Sequence, residues 1–283
     1  MLVSNFGKDY KILKASNKMK LESWGNVKLL RPDPVIIWNS EKINENEADA
    51  VYYRSNTGGG HWENRKKVPA AWQIKYKNLT FNINQMGFKH TGLFPEQAVN
   101  WDRMIEKIQA SDKKIKVLNL FAYTGGATVA CLSAGASVCH VDSSRGMNDW
   151  AKENVHSSNL GNAEVRFLVD DVVKFVEREI RRGNKYDAIV MDPPSYGRGA
   201  NKEVWSIEKD LDNLLKLCKQ ILEPNFLFVC VNTYSSNLSL LTLENELKSN
   251  FENSNIEVDE IALPIEESNL YLPCGITGWI TND

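Results

Sequence analysis

From residue 116 to residue 232 short apolar runs alternate with helical stretches, and this alternation restricts the possible fold more than any other feature. KVLNLF (116–121) has the length and composition of a strand buried on both faces, and SVCHVD (137–142), AEVRFLV (163–169), YDAIVMD (186–192) and FLFVCVN (226–232) read as further strands. Helical spacing fills the gaps, over about 126–134, 145–158, 171–182 and 206–222. Strands separated in this way pair in parallel through right-handed crossovers, so a doubly wound α/β sheet is expected. QAVNWDRMIEKIQA (97–110) predicts an amphipathic helix ahead of the first strand. A last helix over about 238–251 and strands near 256–263 and 275–281 predict an antiparallel hairpin at the sheet edge.

Before residue 86 the texture is different. VKLLRPDPVIIW (27–38), VYYR (51–54) and AAWQIKYKNLTFNI (70–83) are rich in strand formers, and Pro32, Asp33, Pro34, Gly58, Gly59 and Gly60 punctuate them. The expected organisation is a small β-rich domain over 1–85 and an α/β domain over 86–283.

The N-terminal stretch lacks an apolar core and carries Asp9 among lysines, so neither a secretory signal nor a transit peptide is expected, and the expected location is the cytoplasm. No apolar run approaches membrane-spanning length. The five cysteines form no C-x-x-C pair, which points away from zinc and from a disulfide framework. A net charge of −2 gives no global signature of a nucleic-acid binder, so any such role needs a local patch. Lys8, Lys11, Lys14, Lys18 and Lys20 are one candidate and Arg65, Lys66 and Lys67 another; a merely solvated surface explains both equally well.

In open α/β sheets ligands sit beyond the carboxyl ends of the strands, so the residues after each strand carry the functional information. Phe121 is followed by Ala122-Tyr123-Thr124-Gly125-Gly126, a turn in which glycine permits positive φ and close approach to a nucleotide-like ligand. Its spacing is not G-x-G-x-x-G, which disfavours a nicotinamide oxidoreductase. Asp142 ends the second strand, where a carboxylate can accept from both ribose hydroxyls; the alternative is a helix N-cap, a role open also to Ser143 or Ser144. Asp170 and Asp171 follow the third strand, one expected to cap the next helix and the other to accept from an adenine amine. Asp171 is the choice for the ligand, with the Val172 N–H reaching a ring nitrogen. The fourth strand runs into Asp192-Pro193-Pro194-Ser195-Tyr196. Two prolines fix φ and remove two donors, leaving a rigid corner of acceptors suited to an amine, with the Tyr196 ring as a stacking surface.

With these four strand ends, the stretch from 89 to about 235 resembles class I S-adenosylmethionine-dependent methyltransferases, most closely the branch of bacterial 23S ribosomal RNA large-subunit enzymes. FAYTGGAT (121–128), Val141-Asp142, Asp170-Asp171-Val172 and Asp192-Pro193-Pro194-Ser195 look like its four motifs in order, and Lys89 to Gln97 is similar to its cofactor-closing segment. The resemblance implies a Rossmann-like fold with S-adenosyl-L-methionine as cofactor. It places Thr91, Phe94, Gln97, Phe121, Tyr123, Gly125, Asp142, Ser143, Asp170, Asp171 and Val172 at that cofactor, and Asp192, Pro193, Pro194 and Tyr196 at the methyl acceptor. It also implies RNA, with ribosomal RNA favoured, as partner, and needs no metal or membrane.

Members that methylate cytosine at C5 present a nucleophilic cysteine after the fifth strand, in a Thr-Cys-Ser-like or Ser-Cys-Ser-like context. Here the stretch reads Asn232-Thr233-Tyr234-Ser235, so the leading expectation is N-methylation of a base. C5 methylation through Cys230 or Cys274 is the alternative, and a non-catalytic RNA-binding module that retains the fold is a third reading.

Overall fold

A computed structural model describes residues 1–55, 59–198, 204–234 and 238–282; Gly58 of the expected turn and Ser235 lie outside these. The chain divides into two compact units, one of Leu2–Val99 with Ala262–Cys274, the other of Asn100–Ile261 with Gly275–Asp283 and Met1.

The β-rich unit begins with β1 (Leu2–Val3), followed by β2 (Tyr10–Ser16), β3 (Met19–Trp24), β4 (Val27–Pro32), β5 (Ala50–Arg54) and β6 (Gly60–Asn64). Strands β2 to β6 form one sheet in sequence order, with β4 and β5 parallel and the other neighbours antiparallel. A separate hairpin joins β7 (Trp72–Tyr76) to β8 (Leu79–Ile83). The run 27–38 stops being a strand at Pro32, because Pro32 and Pro34 cannot donate to a ladder. Asn17 and Lys18, at φ +48° and +62°, make the tight turn between β2 and β3.

The lysine-rich opening of the chain thus forms two strands, and several of its lysines are neutralised. Lys11 pairs with Glu266, Lys14 with Glu47, and Lys20 with Asp33 and Glu22. Arg65 and Lys66 likewise pair with Glu45 and Asp49. At the centre Glu22, fully buried, accepts from Arg31 Nε at 2.6 Å, Arg31 Nη2 at 2.8 Å and the Tyr10 hydroxyl at 2.7 Å. Arg31 also donates to the Lys89 carbonyl at 2.8 Å and lies over the Trp24 ring. Burial alone would raise the Glu22 pKa, but the Arg31 and Lys20 charges outweigh it and bring it to about 2. A carboxylate depressed on folding contributes stability that is complete above its ordinary pKa and lost as the pH falls toward about 2.

The second unit opens with α1 (Ala98–Gln109), whose first residues belong to the β-rich unit. It then alternates β9 (Lys116–Leu120), α2 (Gly126–Ser133), β10 (Ser137–Asp142), α3 (Arg145–Ser157), β11 (Val165–Val169), α4 (Val172–Arg182) and β12 (Ala188–Met191). A short hairpin, β13 (Tyr196–Arg198) and β14 (Val204–Ser206), precedes α5 (Ile207–Lys219), β15 (Phe228–Thr233), α6 (Leu240–Asn250), β16 (Asn255–Pro264) and β17 (Tyr271–Thr281). The sheet order is β1-β16-β17-β15-β12-β9-β10-β11. Strands β15, β12, β9, β10 and β11 are parallel, and β17 runs antiparallel to β15, as the edge hairpin requires.

The chain moves outward from β9 through β10 to β11, then returns to place β12 on the other side of β9. Right-handed crossovers put α2 and α3 on one face and α4 and α5 on the other, so β9 and β12 flank the switch point. Leu118, Val141, Phe175, Ile189, Leu214 and Val229 belong to the apolar core between these layers.

Removing Arg31 leaves the Glu22 charge buried without its main partner. Arg31→Met is therefore expected to lower stability by about 3–5 kcal/mol in urea unfolding at neutral pH; a loss under about 1 kcal/mol would contradict the assignment.

Candidate active site

The tips of β9, β10, β11 and β12 lie along one edge of the sheet, because the ladder holds Leu120 beside Val141 and Met191, and Asp142 beside Val169. The residues that follow these positions are the ones expected to bind ligand. The structure brings Phe121, Tyr123, Gly125, Asp142, Ser143, Asp170, Asp171, Val172, Asp192, Pro193, Pro194 and Tyr196 to that edge. Thr91, Phe94 and Gln97 lie in the β-rich unit, on the segment leading into α1. Thr91 is buried there with no hydrogen-bond partner for its hydroxyl among the described residues.

After β9 the backbone turns through Phe121, Tyr123 and Gly125, at φ +53°, +50° and +82°. Two of the three carry side chains, a conformation that costs about 1–2 kcal/mol per residue and persists only where neighbours enforce it. Tyr123 N–H donates to Asp142 Oδ2 at 2.8 Å, Gly125 N–H to Ala122 O at 2.9 Å, and Asn154 Nδ2 to Thr124 O at 2.8 Å. A Cβ on Gly125 would stand 2.9 Å from Ala151 Cβ, and one on Gly126 would stand 2.7 Å from the Trp101 ring. Both glycines are thus required by protein packing, and only Gly125 by its φ.

Asp142 holds the first loop to the second. Its other oxygen, Oδ1, accepts from Ser144 N–H at 2.8 Å. Burial raises its pKa, while the two backbone donors work against that rise. The cap of α3 falls to Ser144, whose hydroxyl accepts from Met147 N–H; Ser143 is exposed. At the third strand end Asp171 caps α4 through Oδ1, 2.9 Å from Lys174 N–H, and Asp170 pairs with Arg178. The capping role expected of Asp170 therefore belongs to Asp171. Val172 is the first residue of α4, so its N–H has no partner within the helix.

At the fourth strand end Pro193 is buried, Asp192 half-buried and Tyr196 56% exposed. The corner is not composed of free carbonyls throughout. Trp205 Nε1 donates to Pro194 O at 2.7 Å, and Ile207 N–H to Ser195 O at 3.1 Å. Trp205 stands out in the sequence only as one of several tryptophans open to a stacking or a core role; its bond to the corner eleven residues upstream has no sequence signal.

An S-adenosylmethionine-dependent methyltransferase model matches residues 50–255, most of the chain and all four strand ends. The chain belongs to this family. It superposes on the crystal structure of the SAM-dependent methyltransferase from Agrobacterium tumefaciens with a TM-score of 0.94 and 29% identity, covering all of this chain and 94% of that one. Ribosomal RNA large subunit methyltransferase K/L of Syntrophotalea carbinolica is 30% identical over 64% of this chain and 25% of its own length. The Pseudoalteromonas atlantica protein of the same name is 31% identical over 67% of this chain and 26% of its own. The chain thus spans about a quarter of the length of the curated relatives it matches.

S-Adenosylmethionine is the family's methyl donor, and the donor set at the strand ends fits an adenosyl group. A carboxylate has about four lone-pair sites, and Asp142 uses two on backbone N–H groups, leaving capacity for two hydroxyl donors. Among the described residues no cluster of three or more His, Cys, Asp or Glu side chains could hold a metal ion. No helix of the described residues is long and apolar enough to cross a membrane.

Cys230 lies inside β15, fully buried, with its thiol pushed up to about 12 by burial. Cys274 is also raised, chiefly by burial, and its Sγ contacts the Leu272 carbonyl. A thiol nucleophile needs access and a lowered pKa, and neither cysteine combines them. RNA containing 5-fluorocytosine is therefore expected to form no covalent adduct with this protein. A denaturant-stable protein–RNA band that disappears in Cys230→Ser would contradict that expectation.

Proposed function

We propose that this methyltransferase transfers a methyl group to a base nitrogen of RNA, with ribosomal RNA as the favoured acceptor and the cytoplasm as its location. The observation that carries the reading is the acceptor-rich corner Asp192-Pro193-Pro194 at the switch point, beside the tip of β9. The choice of RNA draws on the curated relatives, both of them ribosomal RNA enzymes, and the choice of nitrogen draws on the chemistry of the corner.

The sulfonium of the bound cofactor supplies an activated methyl group. The protein's work is then placement and proton handling. In this reading Asp142 accepts from the ribose hydroxyls with its remaining lone pairs, while Asp171 Oδ2 and Val172 N–H meet the adenine edge. Phe121, Tyr123, Gly125, Ser143 and Asp170 complete the cofactor side. The Asp192 carboxylate and the Pro193 carbonyl accept from the two N–H groups of the target amine, which turns its lone pair away from the corner. Tyr196, exposed, offers a face on which the base stacks. Asp192 takes the proton that the nitrogen releases as it gains carbon. Alignment of this kind supplies several kcal/mol of barrier lowering without covalent catalysis.

The test is transfer of label from tritiated S-adenosylmethionine to total RNA or total protein, with digestion and mass spectrometry of the labelled fraction. An N-methylated base in RNA is expected. Asp192→Ala should lower turnover by about 100-fold or more and leave the Kd for S-adenosylhomocysteine within about threefold, roughly 0.7 kcal/mol. Label confined to protein, or loss of cofactor binding in Asp192→Ala, would overturn the reading.

A further inference from the structure

Trp205 stands where the two halves of the site meet. Its indole N–H holds the Pro194 carbonyl at 2.7 Å, and its ring packs on Phe121 with centroids 5.0 Å apart at an angle of 56°. The hairpin β13–β14 presents it there. Gly197 opposes Trp205 across the antiparallel pair, and a Cβ at Gly197 would lie 3.5 Å from Pro194 Cγ, so the proline ring rests on this hairpin. β14 runs directly into α5, and the bond from Ile207 N–H to Ser195 O closes the base of the loop.

Proline fixes φ but not ψ. The plane of the Pro194–Ser195 peptide is therefore not set by the prolines, and a donor on its carbonyl sets it instead. The same side chain leans on Phe121, a residue held at φ +53° two positions before Tyr123. Phe121 begins the loop whose Tyr123 N–H is bound by Asp142. Trp205 thus touches both the corner after β12 and the loop after β9, on the two sides of the switch point.

We propose that Trp205 is a positioning residue that fixes the separation and orientation of the Asp192-Pro193-Pro194 corner relative to the tip of β9, and so sets the alignment of methyl acceptor with methyl donor. The inference rests on the reading of that corner as the acceptor side. In-line transfer is sensitive to displacement, so the signature of such a residue is lost turnover with cofactor affinity retained. Trp205→Phe is the informative change, because it keeps an aromatic ring to pack on Phe121 while removing the N–H together with the pyrrole part of the indole.

The experiment uses the full chain with tritiated S-adenosylmethionine and transcribed large-subunit ribosomal RNA, alongside calorimetry with S-adenosylhomocysteine and thermal melting. Trp205→Phe is expected to lower kcat about tenfold or more. Its KM for RNA and its Kd for S-adenosylhomocysteine are expected to stay within about twofold of wild type. A parallel fall in melting temperature and cofactor affinity would make Trp205 ordinary packing and overturn the inference. Wild-type turnover in Trp205→Phe, with Asp192→Ala inactive, would overturn it while the acceptor reading stands. Wild-type turnover in both would sink the acceptor reading itself. Independently of any acceptor, the Trp205 indole proton, assigned by its absence from the Trp205→Phe NMR spectrum, is expected to exchange with solvent more slowly than a free indole. Exchange as fast as free tryptophan would contradict the bond to Pro194.

Discussion

The site depends on one half-buried carboxylate. Asp142 is withdrawn from water, which works against its charge, yet it accepts a backbone N–H from each of two loops, Tyr123 on one side and Ser144 on the other. Bonds from backbone donors to an ionised carboxylate are about twice as strong as neutral ones. They offset part of the desolvation and of the strain at Phe121 and Tyr123. The backbone of Asp142 adds further links, since its carbonyl accepts from Asp170 N–H at 3.1 Å and from Asn148 Nδ2 at 3.0 Å. Three adjacent strand ends are therefore tied through a single residue.

Beneath the first loop a second polar chain runs through the sheet. Asn119 donates to the Thr128 hydroxyl at 2.9 Å, and Thr128 bonds His140 Nδ1 at 2.9 Å. Burial holds the His140 pKa down to about 3, so the imidazole is neutral at physiological pH and brings no charge beneath the loop. Buried polar groups that satisfy one another favour one arrangement of side chains. Here that arrangement fixes the start of α2, whose N-cap residue Gly125 offers no side chain for capping.

Much of the parallel sheet was legible because its central strands are buried on both faces and its helices on one, so pattern and structure coincide; the edge strand β11 is only partly buried. KVLNLF, SVCHVD and YDAIVMD become β9, β10 and β12 with ends shifted by a few residues at most. The first strands were not legible. The lysines from Lys8 to Lys20 read equally well as a solvated surface, but cross-strand pairing turns Lys20, and Arg31 of β4, toward Glu22 in the interior, and no local pattern encodes a partner in another strand. The same limit applies to the site. The acids, glycines and prolines at the strand ends declare themselves by position. Which aspartate caps α4, and which residue ties down the Pro194 carbonyl, depend on geometry: Asp171 faces Lys174 N–H, and Trp205 returns over the corner through a hairpin too short to show a strand pattern.

The central claim is that an adenosyl group sits across the tips of β9, β10 and β11 with its methyl-bearing end toward Asp192. A crystal structure with S-adenosylhomocysteine bound tests it most directly. The account predicts both ribose hydroxyls within hydrogen-bond distance of the Asp142 carboxylate, the adenine edge at Asp171 and the Val172 N–H, and the sulfur on the side of the diproline corner. A ligand bound elsewhere, or one whose ribose leaves Asp142 without contact, would contradict it.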